Sequence, residues 1–242
     1  MYQTRKTFIH PNMKMSDLVF ENPSLLLMME HFDINIVVSN KTVAQICNEN
    51  QISEQVFLKV VNLYNGFTIS SDINSQLIRE DAKPIIEFLK NSHRYYLDEK
   101  IPEIQGYVRS LYAKNNIPEI ALVEKFFDEY STEVEEHLTY EDKIAFPYFH
   151  FLADVNNNAV SGYNSKFSAE EYLNHHTDIE SKLGELKKLL LKHIPLKQDA
   201  ILRRKLLISL FELEYDLTIH SVIEESILIP LIKKIEKHIK RG

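Results

Sequence analysis

From about Asp81 onward, apolar residues return every three or four positions in four long stretches. That is the spacing of one buried face on an α-helix. The first stretch runs from about Asp81 to Lys114, with Ile86, Leu89, His93, Tyr96, Ile104, Val108 and Leu111 facing inward. The second runs from about Pro118, a residue suited to a first helical turn, to Ala153. Its stripe is Val123, Phe127, Tyr130, Val134, His137, Glu141, Ile144, Tyr148 and Leu152. Ser168 and Glu171 make a capping box that opens the third, with Tyr172, His176, Ile179, Leu183, Leu186 and Leu190 before Pro195 ends it. The fourth runs from about Asp199 to Lys240, with Leu206, Leu210, Leu213, Leu217, His220, Glu224, Ile227, Leu231 and Ile235 inward. Short links and one longer loop, residues 154–167, predict an all-α fold, an antiparallel four-helix bundle.

Ahead of the bundle, residues 13–67 show mixed three-to-four spacing and predict a small N-terminal helical domain. Ser53 is a candidate N-cap there and Asn65-Gly66 a candidate stop. Residues 68–81 are polar and without a period. The expected organisation is therefore an N-terminal domain over 13–67, a linker over 68–81 and the bundle over 82–242. Loop 154–168, with Gly162 and three consecutive Asn, suits either a gate at one end of the bundle or a plain connector.

Polar residues interrupt every stripe. The second helix carries His137 with Glu141, and the fourth His220 with Glu224. Both passages read H-x3-E-[DE]-x-I-x-[FI]-P, an internal repeat offset by 83 residues. Residues four apart share one side of a helix, so each His points with its Glu. The first and third helices contribute His93 and His176, and antiparallel packing brings all six positions to nearly one depth. Two buried carboxylates repel each other unless something neutralises them. A pair of cations does so, and imidazole with carboxylate suits iron, manganese or zinc. His175 lies about 100° from His176 around the helix, beside Asp178 and Lys182, and is assigned to the rim. His10, His31, His150, His193 and His238 have no matching partner and are not expected to be ligands. Glu133 and Asp216, each four residues before a stripe His, read either as acceptors for imidazole N–H groups or as exposed acids, with exposure preferred.

Composition narrows the chemistry. The chain has 242 residues but only five Gly, which disfavours the turn-rich sandwiches and the dinucleotide-binding α/β folds. A single Cys excludes four-Cys zinc and iron–sulfur sites, leaving His and carboxylate as the metal donors. The net charge of −7 disfavours sequence-independent nucleic-acid binding. The N-terminal residues lack the apolar run of a secretory signal, and no stretch of about 18 apolar residues is present. A cytoplasmic protein without membrane or nucleic-acid partners is the expectation.

On His93, His137 with Glu141, His176, and His220 with Glu224, residues 82–240 resemble the hemerythrin-like di-iron family. The layout resembles one branch, the repair-of-iron-centres proteins, which carry a short helical domain ahead of the bundle and act under nitrosative and oxidative stress. That branch has a Cys-Cys pair in its first domain. Val37 and Val38 stand there in this chain, and Cys47 is read as a small core residue. Arg94 follows His93 where some relatives place a second His. The resemblance implies two iron ions, four terminal His, two bridging Glu and room for an oxo or hydroxo bridge. It implies O2 or NO as small ligand and damaged iron–sulfur proteins as partners. Repair of iron–sulfur centres is the leading expectation, and an O2/NO-binding sensor or carrier without catalytic activity the alternative. A ferroxidase is disfavoured, because ferritin-like sites use Glu-x-x-His rather than His-x3-Glu.

Overall fold

A computed structural model describes residues 7–68, 77–154, 167–175, 179, 181–194 and 199–239. The described chain is helical throughout, joined by turns and one isolated bridge between Lys14 and Thr42. It forms two compact units, one from residues 1–92, 146–169 and 221–242, the other from 93–145 and 170–220.

The first unit begins with α1 (Met15–Glu21), α2 (Leu25–His31), α3 (Val43–Glu49) and α4 (Glu54–Tyr64). Thr42 caps α3 through a reciprocal box with Gln45. Ser53 precedes α4 as expected, but its side chain makes no capping bond. Asn65-Gly66 stops that helix as expected. Gly66 sits at φ 78°, a backbone suited to glycine, and Phe67 N–H reaches back to the Asn62 carbonyl. Asn62 also ties down the start of the unit, accepting from Ile9 N–H at 2.8 Å. Cys47 is 2% exposed, in the core as expected, and burial pushes its thiol up to about 12. Val38 is buried, whereas Val37 is exposed. Of the expected linker, residues 69–76 lie outside the described residues, and Arg79–Asp81 form a 3-10 turn. The unit also holds α5 (Ala82–Arg94), α8 (Phe146–Asp154) and α12 (Ile229–Ile239).

The second unit is built on α6 (Ile101–Asn115), α7 (Pro118–Tyr140), α9 (Ala169–His175), α10 (Ser181–Lys192) and α11 (Ala200–Ile223). Asn116 ends α6 in a left-handed conformation, and Pro118 opens α7. Four apolar stripes meet in one core. They include Ile104, Val108 and Leu111 of α6, Phe127, Tyr130 and Val134 of α7, Leu183, Leu186 and Leu190 of α10, and Leu206, Leu210, Leu213 and Leu217 of α11. Burying each such side chain stabilises by about 1.5–3 kcal/mol. The all-α helical bundle is therefore as the periodicity predicts.

The long helices are not uniformly α. Wide π turns occupy Tyr95–Lys100 between α5 and α6, Glu141–Ala145 between α7 and α8, and Glu224–Leu228 between α11 and α12. Ile101 N–H reaches the Tyr96 carbonyl and Ile229 N–H the Glu224 carbonyl, five residues back. A proline follows each wide turn: Pro102, Pro147 and Pro230. Proline lacks an N–H and its ring collides with the carbonyl four residues back. Those carbonyls belong to Asp98, Lys143 and Ser226, each inside a π turn. Widening the turn moves the carbonyl out of the ring's way.

One stripe position is corrected by this geometry. Ile144, expected inward, is 46% exposed, and Ala145 is buried instead. A wider turn needs more residues to come round to the same side, so the fourth residue after Glu141 faces inward rather than the third. Loop residues 155–166 lie outside the described residues.

Candidate metal centre

The helices set the register of the site. His137 and Glu141 sit one turn apart, and Glu141 N–H still donates to the His137 carbonyl, so the pair keeps α geometry up to the point where the wide turn begins. His220 and Glu224 repeat the arrangement at the end of α11. His93 lies near the end of α5, two residues before the first wide turn.

Glu141 is fully buried. Its Oε1 lies 3.2 Å from His137 Nε2, and its Oε2 lies 3.3 Å from His93 Nε2. The hydroxyl of Tyr172 also donates to Oε1 at 2.6 Å. His93 Nε2 faces His220 Nε2 at 3.3 Å, while His93 Nδ1 lies 3.1 Å from Asp142 Oδ1. One ligand atom from each of His93, Glu141, His220 and Glu224 falls within 4.8 Å of the others, and all four residues are buried.

These positions define the electrostatics. Asp142 accepts from the Nδ1–H of His93 and so turns Nε2 inward, where it carries either a proton or a lone pair. That nitrogen meets a second imidazole nitrogen and a carboxylate oxygen. Converging lone pairs repel unless a proton or a metal cation lies among them. Burial opposes charge on His93, but its bonds to Asp142 and Glu141 outweigh this and hold its pKa up to about 9. Burial favours a neutral Glu141, but His137 and His93 hold its carboxyl well below the usual range. The donor set therefore fits a cation: nitrogen and oxygen ligands, desolvated, with outer partners fixing their orientation.

The sequence model described as "Hemerythrin HHE cation binding domain" matches residues 84–232. The chain belongs to the hemerythrin family. A search of curated proteins finds no match. As a hemerythrin HHE protein it is metal-binding, and its buried His/Glu cluster fits that capacity. Among the described residues, no helix is long and apolar enough to cross a membrane.

Five of the six residues singled out in this hemerythrin-like sequence are described. His93, Glu141, His220 and Glu224 come together, and His137 touches Glu141. His176 lies outside the described residues, as does the His175 side chain. Of the remaining histidines, His31 packs edge-on against Phe88, His150 pairs with Asp154, and His238 Nδ1 lies 2.8 Å from the Lys234 carbonyl. Glu133 is exposed and pairs with Lys182. Asp216 corrects the preference for exposure: it is 1% exposed and accepts from Tyr96 OH at 2.7 Å. The Tyr96 ring in turn stands edge-on to His220.

Sequence reasoning also missed the contributions of Tyr172 and Asp142. Tyr172 was a stripe residue, and only its hydroxyl hinted at a polar partner. Asp142 was part of the repeat but had no assigned role.

Proposed function

We propose that this hemerythrin-family chain holds two iron ions and serves in repair of iron–sulfur centres under nitrosative or oxidative stress. The supporting observation is the division of Glu141 between His93 and His137, one carboxylate oxygen to each imidazole. A carboxylate shared by two cations offers its oxygens in that way. In this reading His93, His137, His176 and His220 are terminal ligands, and Glu141 and Glu224 are the shared ones. Residues 13–67 are then a small N-terminal domain ahead of the bundle, which spans 82–242.

When bound, iron supplies a centre that takes up O2 or NO or moves between ferrous and ferric states. The chain's own residues do the rest. Asp142 holds the Nδ1 proton of His93 and so keeps Nε2 inward. Tyr172 fixes one oxygen of Glu141. Buried Tyr96, Tyr130 and Leu217 keep water from the neighbouring core.

Val37 and Val38, standing where the repair branch has its cysteines, favour a second reading as an O2/NO-binding sensor or carrier. Two measurements separate the two. Metal analysis should find about two irons per chain, lost in His137→Ala and Glu224→Ala; unchanged metal in both variants refutes the site. The iron-loaded protein should then restore a nitrosylated [4Fe–4S] enzyme beyond ferrous salt alone. No restoration, with reversible NO or O2 spectra intact, selects the sensor reading.

A further inference from the structure

The 83-residue offset that relates His137 and Glu141 to His220 and Glu224 also relates His93 to His176, so the whole ligand set repeats once along the chain. Carried to neighbouring positions, the same offset pairs Glu133 with Asp216 and Tyr96 with Ile179. At these positions the two halves part. Glu133 is exposed, and Lys182 neutralises it. Asp216 and Tyr96 are both buried, and the Tyr96 hydroxyl donates to Asp216 Oδ2 at 2.7 Å. Ile179 is buried as well. An apolar side chain therefore serves the counterpart place, and the fold does not require a phenol and an acid there. Taking a carboxylate out of water is unfavourable, so its presence on one half alone calls for a reason.

We propose that Asp216 is a fixed negative charge that biases iron on the His220 half of the site toward the ferric state, with Tyr96 holding that charge in place. The proposal rests on the reading of the site as an iron centre. Asp216 lies one turn before His220 on α11. The two share a side of the helix, about 6 Å apart along its axis. Tyr96 reaches both: its hydroxyl binds the acid, and its ring stands edge-on to the imidazole with centroids 5.7 Å apart. His220 Nε2 in turn faces the site, 3.3 Å from His93 Nε2. A charge inside the protein is poorly screened, whereas an exposed and paired one is felt little at a distance. The two halves thus have like ligands and unlike fields: Asp216 acts on one, and Glu133 barely acts on the other. Removing a unit charge about 10 Å away in a protein interior shifts such an equilibrium roughly tenfold.

Redox titration of the full-length, iron-loaded protein tests this, with iron content and the visible spectrum followed in the parent, Asp216→Asn and Glu133→Gln. Asparagine keeps an oxygen for the Tyr96 hydroxyl and removes only the charge. Asp216→Asn should retain its iron and helicity, with a midpoint potential raised by about 59 mV, a tenfold shift for one electron. Glu133→Gln should leave the potential where it is. If Asp216→Asn does not fold, Asp216→Leu combined with Tyr96→Phe removes both polar partners together and should give the same rise. A purely structural Asp216 would move the unfolding midpoint and not the potential. Iron retained with an unchanged potential, or equal shifts at Asp216 and Glu133, overturns the proposal and leaves the iron reading standing. A parent that takes up no iron overturns that reading and the proposal with it.

Discussion

Tyr172 donates its hydroxyl to Oε1 of Glu141 at 2.6 Å, across 31 residues of sequence. The bond joins α9 to the first residue of the wide turn that follows α7. A hydrogen bond to a buried carboxylate is worth about 1.5–3 kcal/mol. Tyr172→Phe should therefore destabilise the metal-free protein by about 2 kcal/mol, measured by urea unfolding. Iron content should persist, because no ligand is removed. The visible spectrum of the iron-loaded protein should shift, since Glu141 loses a donor that draws charge from it.

The metal-free protein should have a stability set partly by His93. Its pKa is held up to about 9 against an ordinary 6.5. The resulting stabilisation is complete below pH 6.5 and is lost as pH rises through about 9. Glu141 works in the opposite direction: its lowered pKa stabilises above about 4.5 and that contribution is lost as pH falls. Unfolding at pH values across the upper window should show the metal-free protein weakening. The metal-loaded protein should not follow, because a cation then stands where the His93 proton stood. Metal uptake at neutral pH should accordingly release protons, measurable with a pH indicator.

Cys47 should be inert in the native protein. It is buried and its thiol is pushed up to about 12, and only the thiolate attacks disulfide reagents. At mildly alkaline pH no label should enter the folded chain, while a denatured sample should take up one equivalent, matching the one cysteine in the sequence. Rapid native labelling would contradict this burial.

Pro147→Ala tests the cause of the wide turns. Alanine can donate to the Lys143 carbonyl and removes the ring collision, so an ordinary α turn becomes possible. Metal-free stability should hold or rise. Iron affinity should fall, because an α turn changes how Glu141 is held relative to the helix beyond it. Equal iron affinity in the variant and parent would show that the packing, not the proline, imposes the turn.

Much of this was readable from spacing. The inward positions of the fourth stretch, from Leu206 to Ile235, are buried, because a helix buried along one stripe must repeat every three to four residues. Gly66 and Pro118 marked ends for local steric reasons that need no tertiary context. The wide turns escaped because one extra residue barely disturbs a period averaged over a long stripe. Only Ile144 betrayed it, and the signal lay in Pro102, Pro147 and Pro230. Asp216 escaped for another reason. Its partner, Tyr96, is 120 positions away, and no local pattern links a buried acid to a distant phenol. Glu133 occupies the equivalent place before His137 and is solvated, so position along the helix could not decide between them.

Each wide turn can be regarded as a helix carrying one surplus residue. Removing a single codon anywhere within Tyr95–Lys100, Glu141–Ala145 or Glu224–Leu228 would restore regular α winding. Each surplus residue is absorbed within its own turn, so buried groups downstream such as Phe149 or Ile232 would stay on their original side, whereas a deletion in a regular stretch swings everything beyond it about 100° around the axis. Lineages of this chain should therefore accept a lost residue in their loops and in these three turns outside Glu141 and Glu224, and refuse one in the regular helical stretches. The surplus residues mark where these helices can change length without turning what lies beyond.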